Sequence, residues 1–202
     1  MRLILLLLAC LALGGCYESH VQLLAAEDLS RAVPEGDWLE VGVFQGGDPL
    51  TAQQISDFDC EPMLDGHVCL IAEDGSPRYT VNMLLRQSTS RYLLVRGMPP
   101  LYQTDEEDTT RADQVIGFSD MGGGILLAEV ADVGAPAWRY ALVRKTVSRR
   151  GKTTLLVKQL TCPKDTCEVP SRDALLAIAR AEIAKRPFAG LENVQVFQLK
   201  SS

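Results

Sequence analysis

Tyr140-Ala141-Leu142-Val143-Arg144-Lys145-Thr146-Val147 runs through Ser148 into Arg149-Arg150-Gly151-Lys152, and Thr153-Thr154-Leu155-Leu156-Val157-Lys158-Gln159-Leu160 follows. Two segments rich in aliphatic and β-branched residues, separated by a glycine-bearing polar turn, spell an antiparallel hairpin. The same pattern occurs upstream. Tyr79, Val81, Met83 and Leu85 alternate with Thr80, Asn82, Leu84 and Arg86, Ser88-Thr89-Ser90 turns the chain, and Tyr92 to Arg96 returns.

The two regions also match residue by residue. Leu70-Ile71-Ala72-Glu73 resembles Leu126-Leu127-Ala128-Glu129, Arg78-Tyr79 resembles Arg139-Tyr140, and Leu93-Leu94-Val95-Arg96 resembles Leu155-Leu156-Val157-Lys158. The matches keep their order, which predicts an internal duplication spanning about 57–97 and 115–160. Two copies are too few for a solenoid, which needs at least ~3 stacked repeats.

Other elements extend the β-rich reading. Trp38 to Gln45 forms a strand with Leu39, Val41 and Val43 on one face, broken by Gly46-Gly47-Asp48-Pro49. Gly122-Gly123-Gly124 marks a turn or bulge between strands over 114–119 and 125–130. One helix is expected over 172–186. Ser171 is its N-cap, Asp173 lies in the first turn, Leu175, Leu176, Ala179 and Ile183 form the apolar face, and Pro187 stops it. A last strand covers 193–199. The segment 16–36 reads as a tether with a short helical piece around Leu23 to Ala32. The expected fold is thus mainly β (α+β): one domain over 37–202, an antiparallel barrel or sandwich of roughly nine or ten strands with one C-terminal helix.

Cysteine usage and charge bound the setting. Of six cysteines, Cys60, Cys69, Cys162 and Cys167 form an even set outside the N-terminal region. In an oxidising compartment this predicts two disulfides. Three connectivities exist, and the local pairs Cys60–Cys69 and Cys162–Cys167 are favoured by their proximity in the sequence. A hairpin turning at 63–66 sets Pro62 opposite His67 and Cys60 opposite Cys69, where Cβ atoms lie ~4.5–5.5 Å apart. The spacings fit short zinc knuckles poorly. Residues 16–135 carry six arginines and no lysine against twenty-one acidic residues, whereas 136–202 carry thirteen basic residues against five acidic ones. Arg144, Lys145, Arg149, Arg150 and Lys152 cluster near one hairpin tip, a candidate patch for an anionic ligand.

The N-terminus fixes an expected location. Met1-Arg2 precedes an apolar run, Leu3 to Ala12, and Leu13-Gly14-Gly15 leads directly into Cys16. The run is too short to span a bilayer, which takes ~20 residues, and has the layout of a signal peptide. It resembles the lipobox of bacterial lipoproteins. That resemblance implies a signal peptide over 1–15, a mature chain beginning at Cys16, a diacylglyceryl thioether on its sulfur and a fatty chain such as palmitate on its amino group. Tyr17 does not match the Asp that retains such proteins in the inner membrane. The resemblance therefore implies an outer-membrane lipoprotein facing the periplasm.

Reactive chemistry is sparse. His20 and His67 are the only histidines, and no Gly-x-Ser-x-Gly elbow accompanies them. Asp105-Glu106-Glu107-Asp108 lacks the spacing of a calcium loop. No catalytic residue, metal site or cofactor is expected. The partners expected are the membrane, through the acyl chains, and an envelope glycan, an anionic lipid or a protein, but not nucleic acid. The leading expectation is a non-enzymatic binding or structural protein; the alternative is a hydrolase of cell-wall or lipid material. Gly36-Asp37-Trp38, ahead of the first strand, is similar to the Gly-x-Trp that opens lipocalins. Some bacterial lipocalins are outer-membrane lipoproteins, and their barrel ends in a helix and a short strand.

Overall fold

The computed structural model describes residues 15–45, 50–57, 60–64, 66–69, 80–85, 89–97, 112–148, 151–163, 166–191 and 193–200. Its centre is a closed barrel. Eight strands follow one another around the wall in chain order: β2 (Gly36–Glu40), β6 (Thr80–Leu85), β7 (Arg91–Gly97), β8 (Ala112–Gly122), β9 (Ile125–Asp132), β10 (Trp138–Val147), β11 (Thr153–Gln159) and β14 (Gln195–Leu199). Every neighbouring pair is antiparallel, and β14 closes the wall by pairing with both β11 and β2. The expected β-rich domain is present, and it is a barrel rather than a sandwich.

Among the described residues the strand count exceeds the expectation because six strands lie outside the barrel. They are β1 (Gly15–Ser19), β3 (Gly42–Gln45), β4 (Glu61–Met63), β5 (Gly66–Cys69), β12 (Thr161–Cys162) and β13 (Thr166–Glu168). Each is short, so each leaves a weak periodic signal. β3, β5 and β4 form a small separate sheet. The single strand expected over 38–45 is therefore two. Val41 still donates to the Val196 carbonyl at 2.9 Å, and from Gly42 the chain leaves the barrel wall for the small sheet.

Strands β9, β10, β11 and β14 bury both of their faces. Trp38, Met83, Leu94, Ile116, Phe118, Leu126, Val143, Leu155 and Phe197 fill the interior. Leu127, Tyr140, Leu142, Leu156 and Val196 face outward into a second core beneath helix α2 (Arg172–Ala184). That helix starts as expected, with Ser171 Oγ accepting the Ala174 N–H at 3.2 Å, and buries Leu175 and Ala179. A shorter helix, α1 (Ala52–Asp57), was not foreseen. It opens on a reciprocal cap in which Thr51 N–H donates to Gln54 Oε1 at 3.0 Å and Gln54 N–H to Thr51 Oγ1 at 3.2 Å.

The hairpin register and cysteine pairs are as expected. Pro62 pairs with His67, and Cys60 with Cys69 and Cys162 with Cys167 stand at disulfide distance. Gly122, Gly123 and Gly124 all take positive φ between β8 and β9, as the tight reversal requires. The duplication fares differently. Arg78 and Tyr79 lie outside the described residues. The hairpins β6–β7 and β10–β11 stand four strands apart around the wall, but their matched residues face opposite ways. Leu94 is interior, and its counterpart Leu156 lies in the outer core. The likeness in sequence is not a likeness of environment at these positions.

Residues 16–36, expected as a tether, pack on the barrel. β1 pairs with β10, β12 and β13. Tyr140, whose hydroxyl burial pushes up to about 12, sits 2.6 Å from Ser19 Oγ. Of the expected helical piece only a single 3-10 turn, Ala26–Asp28, exists. The backbone at 23–24 is taken up instead by side chains. Glu129 Oε1 accepts the N–H groups of Leu23 at 2.7 Å and Leu24 at 3.2 Å, while Arg91 Nη2 donates to Leu24 O and to Glu129 Oε2, both at 2.8 Å. Arg91 and Glu129 are almost wholly buried, and the guanidinium lies over the Trp138 ring. Gly117 stands between them in the register of three strands. A Cβ there would come within 2.7 Å of Arg91 Nη1 and 2.9 Å of Leu29 Cδ2.

Further along, Ser30 N–H donates to Phe118 O at 2.6 Å, and the chain then seals one barrel end. The carbonyls of residues 32, 33 and 34 each accept from a barrel side chain: Ala32 from Lys145 Nζ, Val33 from Tyr92 Oη and Pro34 from Trp38 Nε1. Val33 itself is buried in the interior core.

Two tests follow from this packing. Gly117→Ala should lower stability in urea unfolding by about 1–3 kcal/mol, since the added methyl collides on both sides; an unchanged midpoint would contradict the close packing. Asp28 is clamped by Arg172, whose guanidinium bonds both carboxylate oxygens and holds its carboxyl below the ordinary value. A depressed carboxyl contributes stability above its unfolded pKa, near ~3.9, and loses it as pH falls through the folded value. Asp28→Asn should therefore flatten part of the acid limb of the stability–pH curve while acting chiefly near neutrality. Parallel curves for variant and parent would refute the clamp.

Candidate functional site

Closure of the wall leaves a cavity of about 90 Å³ inside the barrel. Alternation along the strands determines what lines it, because every second residue points inward. Aliphatic and aromatic side chains from β6 to β14 make the walls, among them Met83, Leu94, Ile116, Val143, Leu155 and Phe197. The end next to Trp38 is filled by Val33 and the carbonyl-anchored turn. Toward the other end the lining turns polar, with Gln114 on β8, Arg139 on β10, Gln159 on β11 and Gln195 on β14.

This collar is charge-balanced. Asp132, at the end of β9, accepts from Arg139 Nη2 at 2.7 Å through Oδ2 and from Gln114 Nε2 at 2.6 Å through Oδ1. That leaves Gln114 in an uncommon state. The residue is only 3% exposed, its amide nitrogen is used, and its Oε1 is buried without a hydrogen-bond partner. Buried polar atoms nearly always find a partner, and one without costs about 1–3 kcal/mol. Gln114 belongs to the cavity lining, so this acceptor lies at the polar end of the cavity.

Cys16 lies beside the collar. It pairs with Thr161 and Thr166, its thiol is outside both disulfides, and Gln159 Nε2 donates to its sulfur at 3.1 Å. Gln159 thus touches both the cavity and the cysteine. Cys162 and Cys167 oppose Gly15 and Tyr17, so their side chains fall on the other face of β1 from the Cys16 thiol.

Of the basic cluster read from the sequence, Arg144 and Lys145 do not share a face. Arg144 and Lys145 are successive residues of β10 and point to opposite sides of the wall. Lys145 reaches Ala32 O at 2.7 Å as part of the sealed end, and Lys152 stands just before β11. Arg149 and Arg150 lie outside the described residues, as does the acidic run 105–108. His67 sits in the small sheet, paired between Phe44 and Pro62 and away from the cavity lining. Among the described residues no three His, Cys, Asp or Glu side chains gather as a metal cluster.

Sequence reasoning missed the collar. Its signal was a glutamine or arginine on the inward parity of four strands, Gln114, Arg139, Gln159 and Gln195, where apolar residues would otherwise stand. That pattern becomes readable only once the inward face of each strand is known.

Comparison with protein-family models, with curated proteins and with solved structures finds no match for this chain.

The unpartnered Gln114 amide oxygen yields a direct test. Gln114→Leu should leave the ligand-free protein as stable as the parent or about 1 kcal/mol more stable, because it removes a desolvated acceptor and fills the same volume. Asp132 is 42% exposed at its side chain, keeps Arg139 and can be rehydrated. A loss of stability beyond that amount in thermal or urea unfolding would show that Gln114 is satisfied within the protein.

Proposed function

We propose that this chain is a lipid-anchored envelope protein that binds, without chemical turnover, a small neutral amphiphile inside its barrel. The anchor rests on the lipobox reading of 1–16, with Cys16 acylated and the protein on the periplasmic side of the outer membrane. The ligand rests on one observation, the buried and unpartnered Gln114 Oε1 at the polar end of an otherwise apolar cavity.

Chemistry narrows the ligand class. A group that meets Gln114 Oε1 must donate a hydrogen bond. The Arg139–Asp132 pair offers one charge of each sign, so an anionic head gains from Arg139 and loses against Asp132, and a cationic head does the reverse. A hydroxyl or carboxamide can donate to Gln114 and accept from the collar without burying a net charge. The volume sets the tail. An apolar cavity of about 150 Å³ is enough to hold benzene, so one of about 90 Å³ suits a tail of a few carbons or the tip of a longer one. Eight antiparallel strands running up and down are the lipocalin arrangement, and small barrels of this size hold one small ligand. This supports the lipocalin likeness of Gly36-Asp37-Trp38.

A hydrolase would need a nucleophile or an acid–base group at the reacting atom. Among the described residues the lining contains no histidine, serine or cysteine; the collar carboxylate, Asp132, is held by Arg139 and Gln114, and the lining tyrosine, Tyr140, has its hydroxyl against Ser19 Oγ. The geometry favours binding over the hydrolytic alternative.

Calorimetry with three six-carbon probes tests the reading. Hexanol should bind, and hexanoate and hexylammonium should bind at least about tenfold more weakly, a difference of ~1.4 kcal/mol. Gln114→Leu should weaken hexanol by a similar factor. Preference for either charged probe, or no binding by any, would overturn the proposal.

A further inference from the structure

We infer that the barrel stands on the membrane with the collar end of its cavity against the lipid surface, so that the bilayer leaflet holding the anchor is also the source of the ligand. This rests on acylation of Cys16 and goes beyond it, because an anchor alone does not orient a protein.

Orientation comes from the absence of a spacer. The residue that would carry the acyl chains is already strand-paired, Cys16 with Thr161 and Thr166, and the next residue, Tyr17, pairs with Cys167. The sulfur that would bear the thioether is 3.1 Å from the amide of Gln159, a residue of the cavity lining. Lipid chains leaving this point enter the bilayer directly beside the collar. The other end cannot take their place. It is sealed by residues 32–34, held by Lys145, Tyr92 and Trp38. From Gln114 to Gly122 the β8 strand covers eight steps, which at ~3.3 Å each and with the tilt of a barrel strand separates the ends by roughly 20 Å.

Apolar residues are exposed at this end, as Val147 is at the other. Val133, 55% exposed, lies in the β9–β10 turn beside Asp132, and Val21, 61% exposed, lies two residues beyond Ser19, which ends β1 opposite Trp138. Both flank the collar end. A single-chain amphiphile in the leaflet could then move its tail into the barrel while its head stays at the interface, where Gln114 and Arg139 wait. Gln114 is the independent sign that this end receives a ligand, since its Oε1 is buried, unpartnered and part of the lining.

Photo-crosslinking of the full, lipidated protein in dioleoylphosphatidylcholine vesicles tests the orientation. p-Benzoylphenylalanine replaces Val133 in one variant and Val147, exposed near the sealed end, in another. Lipid adducts, read by mass, should form several-fold more at position 133. Equal labelling, or more at 147, in protein whose Cys16 carries its lipids would overturn the orientation while leaving the anchor intact. An unmodified Cys16 in protein from native membranes would remove both the anchor and the orientation. Because both labels sit on exposed positions, thermal unfolding at the parental midpoint verifies that each variant is folded.

Discussion

Closure of the barrel by β14 is the constraint from which the other features follow. Five residues, Gln195–Leu199, pair antiparallel with β11 on one side and β2 on the other. Without them the wall would have two open edges and its interior would face water. With them, Phe197 becomes a wall of the cavity and Val196 a contact of the outer core. Each barrel strand between β9 and β14 thus buries both faces, and adjacent residues serve different cores: Leu126 inside and Leu127 outside, Leu155 inside and Leu156 outside.

A second consequence concerns the segment before the first barrel strand. It crosses the outer wall where no partner strand is available at 23–24, and its backbone groups must still be satisfied. The Arg91–Glu129 pair does this, accepting two N–H groups and donating to one carbonyl. Burying two charges costs several kcal/mol per ion unless geometry and further hydrogen bonds compensate. Here Glu129 accepts three hydrogen bonds, while Arg91 keeps Nη1 unpartnered and stacks on Trp138. Gly117 is what makes the arrangement fit, because only a residue without a Cβ lets Arg91 pass over β8. The ion pair therefore acts as a side-chain substitute for a missing strand, and the segment it holds goes on to seal the barrel.

Local signals were readable wherever local physics decided the outcome. Ser171, Leu175, Ala179 and Pro187 marked α2, the three glycines at 122–124 marked the β8–β9 reversal, and the expected pairing of Pro62 with His67 carries the register that brings Cys60 to Cys69. The reading failed where distant groups decided. Leu24 and Leu29 looked like one face of a helix, yet Leu24 is buried in the outer core and Leu29 bridges Ser119. Leu94 and Leu156, matched in sequence, enter the barrel on opposite parity. Thr51-x-x-Gln54 was legible as a helix start and went unread. The collar could not have been read beforehand, because Gln114, Arg139, Gln159 and Gln195 are brought together only by closure.

The site is thus a by-product of topology and parity: an apolar interior, one end filled by residues 32–34, the other lined by amides and a balanced ion pair beside Cys16. Its central claim is that a ligand occupies the inside of a closed wall. Isotope-filtered NMR with carbon-13-labelled methyl groups and unlabelled hexanol measures this directly. The account predicts cross-relaxation from hexanol to the methyls of Leu94, Ile116, Val143 and Leu155, and none to those of Leu127, Leu142 and Leu156. Contacts with the second set, or with neither, would contradict it.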